Sequence, residues 1–144
     1  DHSLGVFSLV RGKDLWRLTG TQAGTDAGAS DKRGPMASEI VARVGSLLKR
    51  LLQGEDPHPE LFVCVESLLR FLERNQGLNG DERKALESLT VFRILRNLGY
   101  VGDDDSLSAV VDPKDITREM LRDASAKRIV MNRHINKALK ESHL

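Results

Sequence analysis

The chain reads as a mainly α protein, with an N-terminal β-hairpin followed by a bundle of four to five helices. Three observations predict this. From Pro35 onward apolar residues recur at three- and four-residue steps. Before that they gather in two short runs, rich in β-branched and aromatic types, on either side of a glycine-containing turn. Between the two patterns lies a stretch of glycine, threonine, serine, alanine and aspartate. The division is therefore a hairpin over residues 1–21, a flexible linker over 22–34 and a helical domain over 35–144.

Ser3–Val10 forms the first strand, Arg11-Gly12-Lys13-Asp14 the turn, and Leu15–Thr19 the second strand. An isolated hairpin is marginal in water, so it must pack on other elements. Gly20, Gly24, Gly28, Gly34 and Pro35 mark the linker region. The first helix carries Ile40, Val41, Val44, Leu47, Leu48, Leu51 and Leu52, and Gly54 closes it. Asp56 is placed to cap the second helix, with Pro57 or Pro59 in its first turn. Leu61, Phe62, Val65, Leu68, Leu69 and Leu72 form its stripe, and Asn75-Gln76-Gly77 ends it. Asn79-Gly80 reads as a turn and Asp81 as the cap of the third helix. Leu86, Leu89, Phe92, Ile94, Leu95 and Leu98 are its apolar positions, and Gly99 is its stop. Tyr100 folds back onto it. An acidic connector follows. Asp112 then caps a fourth helix opened by Pro113, with Asp115 at N3 and Ile116, Met120 and Leu121 on its apolar face. Ala124-Ser125 marks a bend, and Ile129, Val130, Met131, Ile135, Leu139 and Leu144 carry the pattern to the end.

The sequence has 144 residues, of which 40% are hydrophobic and 30% charged, enough to build a packed core. No apolar run reaches the ~18 residues that span a bilayer, so no membrane partner is expected. The single cysteine, Cys64, excludes an internal disulfide and a four-cysteine zinc site. No signal-peptide pattern opens the sequence, and a reducing, cytoplasmic compartment is expected. The first residue is Asp1, so the chain reads as a processed product or a piece of a longer one.

Formal net charge is +1, a total that does not announce a nucleic-acid binder. Its distribution says more. Residues 101–113 hold Asp103, Asp104, Asp105 and Asp112 and no base, whereas residues 114–144 hold eight bases against four acids.

Nothing in the residue pattern assembles a catalytic site, so no enzyme and no cofactor is expected. His2, His58, His134 and His143 lack the spacing of a metal motif and read as surface histidines. Cys64, between Val63 and Val65, reads as a buried structural thiol. The glycines of the linker lack the lysine and the strand–helix setting of a phosphate loop. The three consecutive aspartates do not have EF-hand spacing and read as a solvated loop.

Binding chemistry is better represented. Arg11, Lys13 and Arg17 surround Trp16 at the hairpin, a combination that neutralises phosphates and stacks on a base. Arg133, Lys137 and Lys140 fall at steps of four and three on the last helix, forming a basic stripe. Arg118 and Arg122 form a second such pair. The competing interpretation is that Trp16 belongs to the core and that these bases solvate ordinary surfaces.

Two stretches carry a family resemblance. Leu9-Val10-Arg11-Gly12-Lys13-Asp14-Leu15-Trp16-Arg17-Leu18-Thr19 resembles the late strands of the N-terminal OB-fold in RecO-type DNA repair proteins. Thr90-Val91-Phe92-Arg93-Ile94-Leu95-Arg96-Asn97-Leu98-Gly99-Tyr100 is similar to that family's helix ending in a Leu-Gly-Tyr turn. The resemblance covers most of residues 4–100. It implies a mediator of homologous recombination and DNA damage repair that binds single- and double-stranded DNA, anneals strands and helps load recombinase. It also implies two protein partners: the acidic tail of single-strand-binding protein and a RecR-type protein. Arg93 and Arg96, beside the apolar stripe of the third helix, are then the candidate partner-binding residues. The alternative for them is pairing with Glu87 or Glu66. The chain departs from the family in two respects. The first OB strands are absent, which makes the hairpin an OB-fold remnant, and Val101–Val111 stands where many relatives carry a four-cysteine zinc module. Zinc is therefore not expected. A function class that competes with the family's is a helical protein–protein interaction module without nucleic-acid binding.

Overall fold

In a computed structural model of the chain, the described residues are 35–52, 54 and 56–142, together with the backbone of 5–11 and 16–23. The described part is mainly helical. Strands β1 (Gly5–Arg11) and β2 (Trp16–Ala23) pair antiparallel, from Gly5 opposite Ala23 to Arg11 opposite Trp16. The register shifts between Ser8 and Leu9, where Ser8 faces Gly20 and Leu9 faces Leu18. A glycine inside a strand commonly accompanies such a bulge. β2 thus continues two residues past the boundary that composition suggested, because Gln22 and Ala23 still find partners in Val6 and Gly5.

Six helices follow among the described residues: α1 (Pro35–Leu51), α2 (Pro59–Arg74), α3 (Gly80–Asn97), α4 (Ser108–Val111), α5 (Arg118–Ala126) and α6 (Arg128–Glu141). α3 touches all five others and is the axis of the bundle. Ala85, Leu86, Leu89, Thr90, Phe92, Arg93, Ile94 and Leu95 are all buried on it. A helix enclosed on several sides loses the one-sided stripe of a surface helix. α1, α2 and α6 keep a single buried face, formed in α1 by Ala37, Ile40, Val41, Val44 and Leu51.

Several helix ends differ from the sequence reading. α2 begins at Pro59, with His58 rather than Asp56 at its N-cap. Asp56 and His58 each precede a proline and are steered away from α geometry, so the helix starts only at the second proline. α3 is capped by Asn79, not Asp81. The Asn79 side chain accepts from the Glu82 amide at 2.8 Å, and the Asn79 amide donates to Glu82 Oε2 at 2.9 Å. Gly99 ends α3 as its sequence implies, with φ +78°. The amides of Gly99 and Tyr100 donate to the carbonyls of Arg96 and Leu95, a Schellman closure. The Tyr100 backbone folds back while its side chain stays exposed. Val101 returns to the core instead.

The connector contains the short helix α4 where its aspartates predict a solvated acidic loop. Leu107, Val110 and Val111 are buried there, and that anchors the turn. Asp112 closes α4 rather than opening the next helix. The next helix starts at Arg118, capped by Thr117, whose Oγ1 accepts from the Met120 amide at 3.1 Å. The break between α5 and α6 falls at Lys127, two residues beyond Ser125.

Candidate functional site

The pocket of greatest chemical interest opens where the start of α2, the end of α3 and the connector meet. It encloses about 490 Å³, with Val63, Cys64, Arg93, Arg96, Val101 and Asp112 among its walls. Glu60, Asp103 and Lys114 also face it. The sequence-based partner candidates Arg93 and Arg96 thus line one cavity, in different states.

Arg93 is only 5% exposed. Its Nη2 donates to the carbonyl of Val110 at 3.0 Å and to that of Pro113 at 2.6 Å, and it contacts Met120 Sδ at 3.4 Å. Its Nε is buried without a hydrogen-bond partner. No acid pairs with it within 4 Å among the described residues, and burial lowers its pKa from the ordinary value. Arg96 is one-third exposed and bridges two acids. Its Nη2 lies 2.7 Å from Asp103 Oδ1, and its Nη1 bonds Asp112 Oδ1. The bonds to Asp112 and then to Asp103 raise its pKa. Pairing with Glu87 or Glu66 does not occur. Those acids take Arg43 at 3.1 Å and Arg70 at 2.7 Å.

Cys64 is buried in the same wall, and desolvation pushes its thiol up to about 11. That protonated state makes it a poor nucleophile. His134 is half-buried rather than a free surface histidine. Its Nε2 lies 3.0 Å from Asp104 Oδ2, and its ring meets Phe92 edge-on at 5.9 Å. The aspartates 103 and 104 are therefore tied to helices rather than simply solvated. Among the described residues no group of three or more histidines, cysteines and acids is placed to hold a metal.

The last helix presents Arg133, Lys137 and Lys140 as exposed residues, opposite the buried Met131, Ile135 and Ala138. Lys137 lies 3.9 Å from Glu141. No ion pair forms at Arg133 or Lys140 among the described residues. Arg118 is engaged by Asn75 Oδ1 at 3.2 Å and by Glu82 at 3.7 Å, which separates it from Arg122 as a binding pair. The side chains of Arg11, Lys13, Trp16 and Arg17 lie outside the described residues, as does residue 12–15 backbone and the linker from 24 to 34.

Sequence reasoning passed over Asp112, Asp104 and His134 as site-building groups. One signal was present for Arg93: a lone charge inside the apolar run Val91-Phe92-Arg93-Ile94-Leu95. Comparison of the chain with protein-family models, curated proteins and solved structures finds no match. No described helix is long and apolar enough to cross a membrane.

Proposed function

We propose that the chain is a non-enzymatic, cytoplasmic DNA-handling protein of RecO type, acting in repair and recombination. The resemblance of residues 9–19 and 90–100 suggests the family. The structural observation that best supports DNA contact is the outer face of α6. Arg133, Lys137 and Lys140 stand together in solvent, with one intramolecular acid, Glu141, among them. Arg133 and Lys140, exposed and without an ion pair among the described residues, suit phosphate contacts, which position a strand without reading its sequence. In this reading the hairpin is the remnant of an OB-fold, and Arg11, Lys13, Trp16 and Arg17 add a second phosphate-binding and stacking surface. Bound strands lose mutual repulsion and are held close enough to anneal. Fluorescent single-stranded oligonucleotide should bind with an affinity that falls linearly on a logarithmic salt axis. Salt-insensitive binding, or none, contradicts the reading.

The pocket favours a second reading, a protein-interaction module. An acidic tail such as that of single-strand-binding protein would meet Lys114 at the pocket, compete with Asp103 and Asp112 for Arg96, and set its apolar end against Val63 and Val101. A RecR-type partner would need a surface of its own. Arg96→Gln should weaken binding of an acidic peptide with an apolar end. Unchanged affinity removes this pocket from partner binding.

A further inference from the structure

Residues 102–107 of the acidic connector are fastened to the helices by three side-chain contacts. Asp103 meets Arg96 of α3 at 2.7 Å. Asp104 meets His134 of α6 at 3.0 Å. Lys127, at the α5–α6 junction, donates to the Ser106 carbonyl at 2.7 Å. Arginine and lysine stay charged across the physiological range, so only the second contact includes a group of a type that titrates near neutral pH.

The surroundings of that contact are well defined. The Asp104 Oδ1 accepts from the Ser106 amide at 2.9 Å and from its hydroxyl at 2.6 Å, leaving Oδ2 for the imidazole. These serine bonds, then His134, hold the carboxyl below the usual carboxylate range. From α3 the imidazole meets the Phe92 ring. The other charged groups that hold the connector or follow His134 on α6 have partners of their own: Arg96 pairs with Asp103 and Asp112, Lys127 with the Ser106 carbonyl, and Lys137 with Glu141. Asp105 flanks Asp104 on the connector. Asp104 is the one acid paired with His134 among the described residues.

We propose that His134 and Asp104 form a pH-sensitive clasp that sets how tightly residues 102–107 close against α6 and the pocket. With the imidazole protonated the contact is an ion pair between imidazolium and carboxylate, whereas a neutral ring gives the carboxylate a hydrogen bond alone. Deprotonation loosens the connector while Arg96 and Lys127 keep it attached. Gly102 and Asp103 belong to the pocket wall, so the change reaches the pocket mouth. The clasp does not depend on DNA binding.

The test is amide hydrogen exchange, corrected for intrinsic rates, at about pH 5.5 and about pH 8, the span over which histidine as a residue type changes charge. The reporters are the Leu107 and Ser108 amides, which donate to the carbonyls of Asp104 and Asp105 at 2.9 and 3.4 Å. In the wild type their protection should be several-fold greater at the acid pH. In His134→Gln and in Asp104→Asn it should be the same at both. Lys127→Met should lower protection at both pH values and keep their ratio. Amides within α3 serve as the reference for global stability. Equal wild-type protection at the two pH values overturns the clasp. So does a pH ratio that survives in either His134→Gln or Asp104→Asn, and if one of these does not fold, the other decides.

Discussion

Arg93 reaches across the pocket from α3 and donates to the Pro113 carbonyl at 2.6 Å, joining the central helix to the chain that leaves α4. The same nitrogen also holds the Val110 carbonyl. Two backbone acceptors from the connector thus depend on one buried guanidinium. Removing a buried donor leaves its acceptors unpaired and costs about 1–3 kcal/mol, more when the donor is charged. Arg93→Ala should lower the free energy of unfolding by about 3 kcal/mol in a urea titration. A loss below about 0.5 kcal/mol, the usual size of surface effects, contradicts the bracing role. It follows that Arg93→Ala is a poor probe of ligand binding, and that Arg96 is the residue to change for that purpose.

The capping box at Asn79 and Glu82 supplies a second expectation. Asn79→Ala removes the acceptor of the Glu82 amide and should cost about 1 kcal/mol. Asp81→Ala should cost less, because Asp81 is not the cap. The two midpoints measured side by side check this, and a larger loss at Asp81 contradicts it.

Asp104 links stability to acid. Its carboxyl is held below the ordinary range by the Ser106 bonds and then His134. A depressed folded pKa contributes stability that is complete above the unfolded value, about 4, and disappears as pH falls through the folded value. Asp104→Asn should therefore flatten part of the acid side of the stability curve. An identical acid limb in the variant contradicts the assignment.

Cys64 should be inert in the folded chain. Its thiol is buried and pushed up to about 11, so little thiolate exists near pH 8. Alkylation followed by mass spectrometry should show slow modification in buffer and rapid modification in urea. Equal rates in both contradict the burial.

The three long helices of the first half are legible in the sequence because their apolar steps are regular and glycines stand at Gly54, Gly77 and Gly99, all with positive φ. Their exact starts depend on finer chemistry. The pattern Asn79-Gly80-Asp81-Glu82 contains the capping box, but Asn79-Gly80 also reads as a turn. Pro57-His58-Pro59 excludes a start at Asp56 through the pre-proline restriction. The connector was less legible. Its four aspartates suggest a solvated loop, while the burial of Leu107, Val110 and Val111 is decided by neighbours in α3 and α5. The pocket was hardest to read. Arg93 finds its acceptors 17 and 20 residues away, and His134 finds Asp104 at a separation of 30. No local spacing encodes such pairs.

The central proposal, strand binding through phosphate contacts, is tested most directly by the salt dependence of single-stranded oligonucleotide binding in three proteins. These are the wild type, the hairpin variant Arg11→Ala, Lys13→Ala, Arg17→Ala, and the α6 variant Arg133→Ala, Lys137→Ala, Lys140→Ala. Each phosphate contact contributes about 0.7 to the slope of log affinity against log salt for single strands. At least one triple variant should lower that slope by about 2 and weaken all sequences alike. The larger effect is expected from the hairpin, where the bases neighbour Trp16. Slopes unchanged in both variants contradict the account.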